Sequence, residues 1–181
     1  MLKKNRKIRV CIDFCDLNAA CPKGEFSLPI TDLMIDNAYS YERMSFMDGF
    51  LGKNQVKIHS DDEKHTSFKM PLGVYCYIVI PFGLKNAAAT YQCVMNIIFH
   101  DHLRKMVECY VDGIAVKSRS KSNRFDGLRT MFNIMRAHKL KMNPTKSCLG
   151  VSSGKFLGFI VTSKEFIWIS KNLRKFKACN P

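Results

Sequence analysis

Two carboxylates in this chain are placed where they could do chemistry together. RMSFMD (43–48) reads as a strand that ends in Asp48, and ECYVDGIAVK (108–117) reads as two short apolar runs meeting at Asp112-Gly113. Asp-Gly between such runs is a strong signal for a two-residue hairpin turn with positive φ, so this pair is expected to form the turn itself. If the two strands are neighbours, both carboxylates lie at one end of a sheet. Carboxylates so placed can hold a pair of divalent cations about 4 Å apart, which activate a hydroxyl and neutralise a triphosphate in phosphoryl transfer. A strand-end acid and a turn residue without chemistry are the competing readings, and spacing alone leaves them open.

The elements around these carboxylates follow from hydrophobic periodicity. IRVCIDF (8–14), TSFKM (66–70), GVYCYIVI (73–80), KFLGFIV (155–161) and FIWIS (166–170) read as strands, the run at 73–80 apolar enough for a sheet interior. ITDLMIDNAYS (30–40) reads as a helix. The strongest helix runs from Lys85 to about Leu103, Ala-rich at its start and apolar at helical spacing. Residues 122–139 place Phe125, Leu128, Met131, Phe132 and Met135 on one stripe, with Ser122 as N-cap. This alternation of strands and helices implies an α+β fold in which an antiparallel sheet is backed by helices.

Bulk properties narrow the class. With 181 residues, 46% hydrophobic and 24% charged, the chain can bury one sizeable core, and no repeat or linker divides it. Its densest apolar run, at 74–84, is too short for a membrane helix. No secretory signal is legible at the start, so an intracellular, cytoplasmic or nuclear setting without membrane is expected, with the eight cysteines as reduced thiols. No CxxC pair suggests zinc. The net charge of +14 is segregated: residues 117–181 hold 15 Lys/Arg against Asp126 and Glu165, while residues 1–116 are nearly neutral. Such a distribution suits a polyanion partner, and a merely solvated basic face is the bland alternative.

The motifs then carry a resemblance. RVCIDFCDLNAACPKGEFSLP (9–29), SFMDGFLGKNQVKI (45–58), MPLGVYCYIVIPFGLKNAAATYQCVMNIIF (70–99), ECYVDGIAVKS (108–118) and LKMNPTKSCLGVSSGKFLGFIV (140–161) occur in order. Together they resemble reverse transcriptases of gypsy-class long-terminal-repeat retrotransposon Pol polyproteins. The resemblance implies the right-hand polymerase fold, with partial fingers and palm over residues 1–162, a divergent tail over 163–181 and no thumb. It implies RNA-directed DNA polymerase activity with an RNA or DNA template-primer, deoxynucleoside triphosphates and two magnesium ions. Carried over by position, Asp48 and Asp112 are the metal ligands and Lys146 protonates the leaving pyrophosphate. Arg9, Lys53, Phe82 and Gly83 meet the nucleotide, and Phe156, Leu157 and Gly158 form the primer grip. Gln92 faces either the template or solvent.

Departures from the family pattern qualify that activity. The hairpin of the family carries two adjacent aspartates, and Gly113 stands where the second belongs. Lys53 replaces an aromatic that packs under the sugar. Catalysis is therefore expected to be very low or nil, the alternatives being a silent nucleic-acid-binding remnant or a decayed reading frame.

Overall fold

The computed structural model describes residues 12–38, 41–49, 52–119 and 124–169. In chain order these form α1 (Cys15–Ala20), α2 (Thr31–Asp36), β1 (Arg43–Asp48), α3 (Ser60–Glu63), β2 (Phe68–Met70), β3 (Gly73–Tyr75) and α4 (Ala87–Ile98). They continue through β4 (Val107–Tyr110), β5 (Gly113–Ser118), α5 (Arg124–Ala137), β6 (Cys148–Val151), β7 (Ser153–Phe156), β8 (Phe159–Thr162) and β9 (Phe166–Trp168). Single 3-10 turns occupy Gly52–Gln55, Lys64–Thr66 and Pro144–Lys146. The expected antiparallel sheet backed by helices is the observed architecture.

The central sheet has the order β4-β5-β1-β6, and every pairing is antiparallel. It is buried on both faces, so its strands carry apolar residues on consecutive positions rather than on alternate ones only. On one face Met47, Val107, Cys109, Ile114 and Val116 pack against Tyr91, Met95 and Phe99 of the α4 segment and Met131 and Met135 of α5. On the other face Met44, Phe46 and Ala115 pack against Met34, Ile35 and Ala38 and against Phe156 and Val161. The side chains thus divide by the two-residue strand period even though both sets are buried. Gly154 permits the second contact, because a Cβ there would overlap the Phe46 ring.

Both long helices are shorter than the periodicity suggests. Beyond Ile98, Phe99 anchors in the core and the chain turns through Arg104, at φ 62, to enter β4. Helix α5 closes at Lys139, whose φ of 55 lets the Leu140 N–H bond the Met135 carbonyl at 2.8 Å, a left-handed C-terminal cap. Phe125 leaves the expected buried stripe and is exposed, while Ser122 lies outside the described residues.

Three strand expectations need correction. Residues 73–80 do not form an interior strand: only Gly73–Tyr75 is a strand, exposed along its length and paired with β2 in a two-stranded hairpin. The aromatic rings of Phe68, Tyr75 and Tyr77 pack on one another there, which accounts for the apolar composition without sheet burial. Residues 155–161 are not one strand but two, β7 and β8, turned at Leu157 and Gly158 with φ of 51 and 88. Residues 12–14 of the first expected strand are irregular, and the remainder lies outside the described residues. Strand β9, which falls in the tail segment of the sequence reading, hydrogen-bonds β8.

All six described cysteines are free thiols. Among the described residues no helix is long and apolar enough to cross a membrane.

Candidate active site

Strand pairing brings the two carboxylates to one end of the central sheet. Asp48 ends β1 opposite Gly113, the first residue of β5, and the Gly49 N–H donates to the Asp112 carbonyl at 2.8 Å. The hairpin register pairs Tyr110 with Gly113, so its two-residue loop is Val111-Asp112 rather than Asp112-Gly113. Val111 carries the positive φ, 48°, an uncommon conformation for a β-branched residue. Gly113 has an ordinary φ, and a Cβ on it would meet the Tyr110 carbonyl at 3.5 Å and the Phe156 ring at 3.8 Å, both normal contacts. The glycine is therefore not demanded by the turn.

Gln92 holds that strained tip. It faces neither template nor solvent: it is fully buried, its Nε2 donates to the Cys109 carbonyl at 2.8 Å, and its Oε1 accepts from the Val111 N–H at 2.7 Å. The loop after α5 holds Asp48 in the same manner. The Asn143 N–H donates to the Asp48 carbonyl at 2.7 Å, and Ser147 Oγ accepts from the Asp48 N–H at 3.3 Å. These bonds put Lys146 Nζ 3.1 Å from Asp48 Oδ2, in an ion pair open to water on the lysine side.

Asp112 is in a tighter place. Its Oδ1 is buried with no hydrogen-bond partner among the described residues, and it lies so close to the Gly52 backbone that a Cβ at Gly52 would overlap it. Burial pushes the Asp112 carboxyl above its ordinary range; the Lys53 ammonium opposes this, Asp48 adds to it, and Lys146 opposes it. Burial also raises the Tyr91 phenol, with Asp112, Cys109 and Asp48 contributing. Tyr91 is buried behind Gly49, where a Cβ would stand 3.3 Å from its hydroxyl.

An open cleft of about 390 Å³ joins Asp48, Asp112, Lys146, Phe156 and Leu157. Gly158 lies in the turn between β7 and β8 instead, beside Trp168. Lys53 sits in the 3-10 turn that begins at Gly52. Phe82 and Gly83 do not line this cleft: Gly83 adopts φ 105, packs toward Phe14 and accepts a bond from Asn18 Nδ2 at 2.8 Å. Arg9 lies outside the described residues. Gly52 and Lys155, which also lines the cleft, escaped the sequence reading; a glycine four residues past a strand-end acid was the only signal for the first.

Divalent cations would need hard oxygen ligands here. Among the described residues no three His, Cys, Asp or Glu side chains converge on one point, so the donors are the carboxylates of Asp48 and Asp112. One or two carboxylates suffice for magnesium when substrate phosphates complete its shell, and the partnerless Asp112 Oδ1 is an oxygen of the required kind. The residues present fit one such ion.

The two acids thus stand at one end of an antiparallel sheet backed by helices. Residues 1–161 match the reverse transcriptase (RNA-dependent DNA polymerase) family, and the chain belongs to that family. It is 25% identical over 173 residues to the transposon Tf2-3 and Tf2-7 polyproteins of Schizosaccharomyces pombe, covering 96% of this chain and 13% of each polyprotein. Among solved structures it resembles the foamy viral protease-reverse transcriptase in complex with RNA/DNA hybrid, at TM-score 0.79 and 20% identity over 86% of this chain and 21% of that one. A second form of that protein, in complex with double-stranded DNA, matches at TM-score 0.82 and 21% identity, over 91% of this chain and 29% of that one. The fold is thus that of the polymerase palm and fingers.

Proposed function

We propose that the chain is the palm and partial fingers of a gypsy-class retrotransposon reverse transcriptase, whose nucleotidyl transfer is impaired at Gly113. The observation that carries this reading is the convergence of Asp48, Asp112 and Lys146 on one cleft beside the Phe156-Leu157 turn. In the reaction, a primer 3′-oxygen attacks the α-phosphorus of a deoxynucleoside triphosphate. One P–O bond forms, the bond to the β-phosphate breaks, and pyrophosphate leaves. Asp48 and Asp112 would hold magnesium, which when bound supplies positive charge to the reacting phosphates. Phe156, Leu157 and Gly158 seat the primer end, and the exposed Lys146 ammonium gives a proton to the departing pyrophosphate. Arg9, Lys53 and the Phe82-Gly83 loop meet the nucleotide.

Support comes from the family match and from relatives that are transposon polyproteins, of which this chain spans about an eighth of the length. Template-primer as partner rests on the nucleic acid held by the foamy viral relatives. Loss of one preorganised charged group lowers the rate on the order of 10²-fold or more. A silent nucleic-acid-binding remnant is the second reading, favoured by the same glycine.

Magnesium-dependent extension of a DNA primer on an RNA template, by the chain and by Gly113→Asp, separates them. Restored synthesis in the variant identifies the lesion as the metal site. If neither extends while both bind template-primer, the silent remnant stands.

A further inference from the structure

Helix α5 carries a second stripe beside the one that enters the core. While Met131 and Met135 pack under the sheet, Phe125, Leu128, Arg129, Phe132 and Arg136 stand at positions i, i+3, i+4, i+7 and i+11 and so share one side of the helix. With Leu149 on β6, an edge strand of the central sheet, they line a groove of about 810 Å³. Leu128 and Phe132 are its buried and half-buried floor, while Phe125 and Leu149 stay 61% and 46% exposed. None of these residues lines the cleft of Asp48 and Asp112. The groove has charge of one sign. Arg129 and Arg136 are exposed and two helical turns apart, about 10.5 Å along the axis, with the apolar floor between them. Arg136 Nη1 donates to Asn133 Oδ1 at 3.3 Å, and neither arginine has a carboxylate partner among the described residues. No acid lines the groove.

We propose that this groove docks an amphipathic helix of a protein partner, one with acidic residues two turns apart and bulky apolar residues between them. A helix laid into a hydrophobic groove inserts anchors at i, i+3, i+4 and i+7, the spacing that α5 itself presents. Its two acids then meet the two arginines, whose planar guanidinium groups take carboxylates in a bidentate fork. Charge complementarity selects this occupant over the others. A nucleic-acid strand would lay phosphates over the apolar floor, where no cation meets them. The chain's own ends, residues 1–11 and 170–181, hold nine Lys/Arg and no acid, so like charge keeps them from the arginines. In a second copy, α2 alone among the described helices carries two acids on one face, and Asp32 and Asp36 stand only one turn apart.

Fluorescence anisotropy of the full chain with a labelled synthetic helix tests it. The probe carries Glu at two positions seven apart and Leu at the two positions between them on the same face; a peptide of the same composition in scrambled order is the control. At about 0.15 M salt, where attraction beyond contact distance is screened, saturable binding is expected for the ordered peptide, with the scrambled one weaker on the order of tenfold. Arg129→Ala and Arg136→Ala should each weaken binding about two- to fivefold, the range of an exposed ion pair, and Leu149→Ala on the order of fivefold. Lys164→Ala, which removes an exposed charge outside the groove, should leave it unchanged. All four positions are exposed, so each variant should keep the parent's cooperative melt. Equal binding of the scrambled peptide, or indifference to all three groove substitutions, overturns the proposal. A thymidine oligonucleotide whose affinity falls with Arg129→Ala and Leu149→Ala while the peptide's does not would overturn it in favour of a nucleic-acid strand. Self-association in sedimentation that Arg129→Ala abolishes would overturn it in favour of a second copy.

Discussion

A methyl group at Gly52 would occupy the space of Asp112 Oδ1. Gly52→Ala should therefore leave the fold intact, because the backbone there has ordinary φ, while displacing a carboxylate on which the proposed chemistry depends. Misplacing a catalytic group by about 1 Å costs on the order of 10²-fold in rate. In Gly113→Asp, where activity is measurable, adding Gly52→Ala should remove most of it without shifting the melt. Asp112 itself is expected to weaken the fold at neutral pH. Burial raises its carboxyl, so the folded state favours the protonated form. The ionised form then costs stability at neutral pH, and that cost is absent below the titration range of an unfolded aspartate. In metal-free buffer, Asp112→Asn should raise the melting midpoint at pH 7, and the two midpoints should converge as the pH falls below about 4. A midpoint lowered at pH 7 would contradict the burial argument.

At the scale of elements, the β4-β5 hairpin is held by a side chain that the sequence does not single out. Gln92 lies on α4 among apolar neighbours and makes its bonds across 17 and 19 residues. Gln92→Ala removes partners from the Val111 N–H and the Cys109 carbonyl and leaves a cavity. Destabilisation of about 2–4 kcal/mol is expected by denaturant melts, since unsatisfied buried groups and lost packing add. The hairpin strands themselves were legible, because two short apolar runs flank a turn signal. Its register was not. Asp-Gly is the commoner turn pair, yet Gly113 is held in the sheet by pairing with both Tyr110 and Asp48, and this puts Val111 in the turn at positive φ. The 73–80 run misled for a related reason: periodicity reports apolar content, and there the aromatic rings satisfy one another in an exposed hairpin.

For the molecule as a whole, β1 and the acids were readable because strand-end carboxylates and the two-residue period are local signals. Long-range pairing decided the rest. Lys117 reads as the polar end of a strand, yet its ammonium is fully buried, 2.8 Å from Glu108 and bonded to the carbonyls of Asn37 and Arg104. No pattern in the sequence distinguishes this lysine from its solvated neighbours. Its burial also removes one cation from the basic C-terminal third that the charge count assigns to a polyanion. The remaining excess is large enough that binding of a template-primer should depend strongly on salt, with affinity falling by orders of magnitude between about 50 and 200 mM if several phosphates are contacted. Fluorescence anisotropy across that range checks it, and a flat salt response would argue against a phosphate-tracking surface.

In the proposed function, Asp48 and Asp112 share a divalent-cation site that lacks a carboxylate at residue 113. Manganese titration followed by electron paramagnetic resonance, without substrate, measures this directly. Weak binding is predicted for the chain, tighter binding for Gly113→Asp, and loss of that gain when either Asp48→Asn or Asp112→Asn is added. Manganese affinity that rises with Gly113→Asp but is indifferent to both asparagine substitutions, or that does not rise at all, would contradict it.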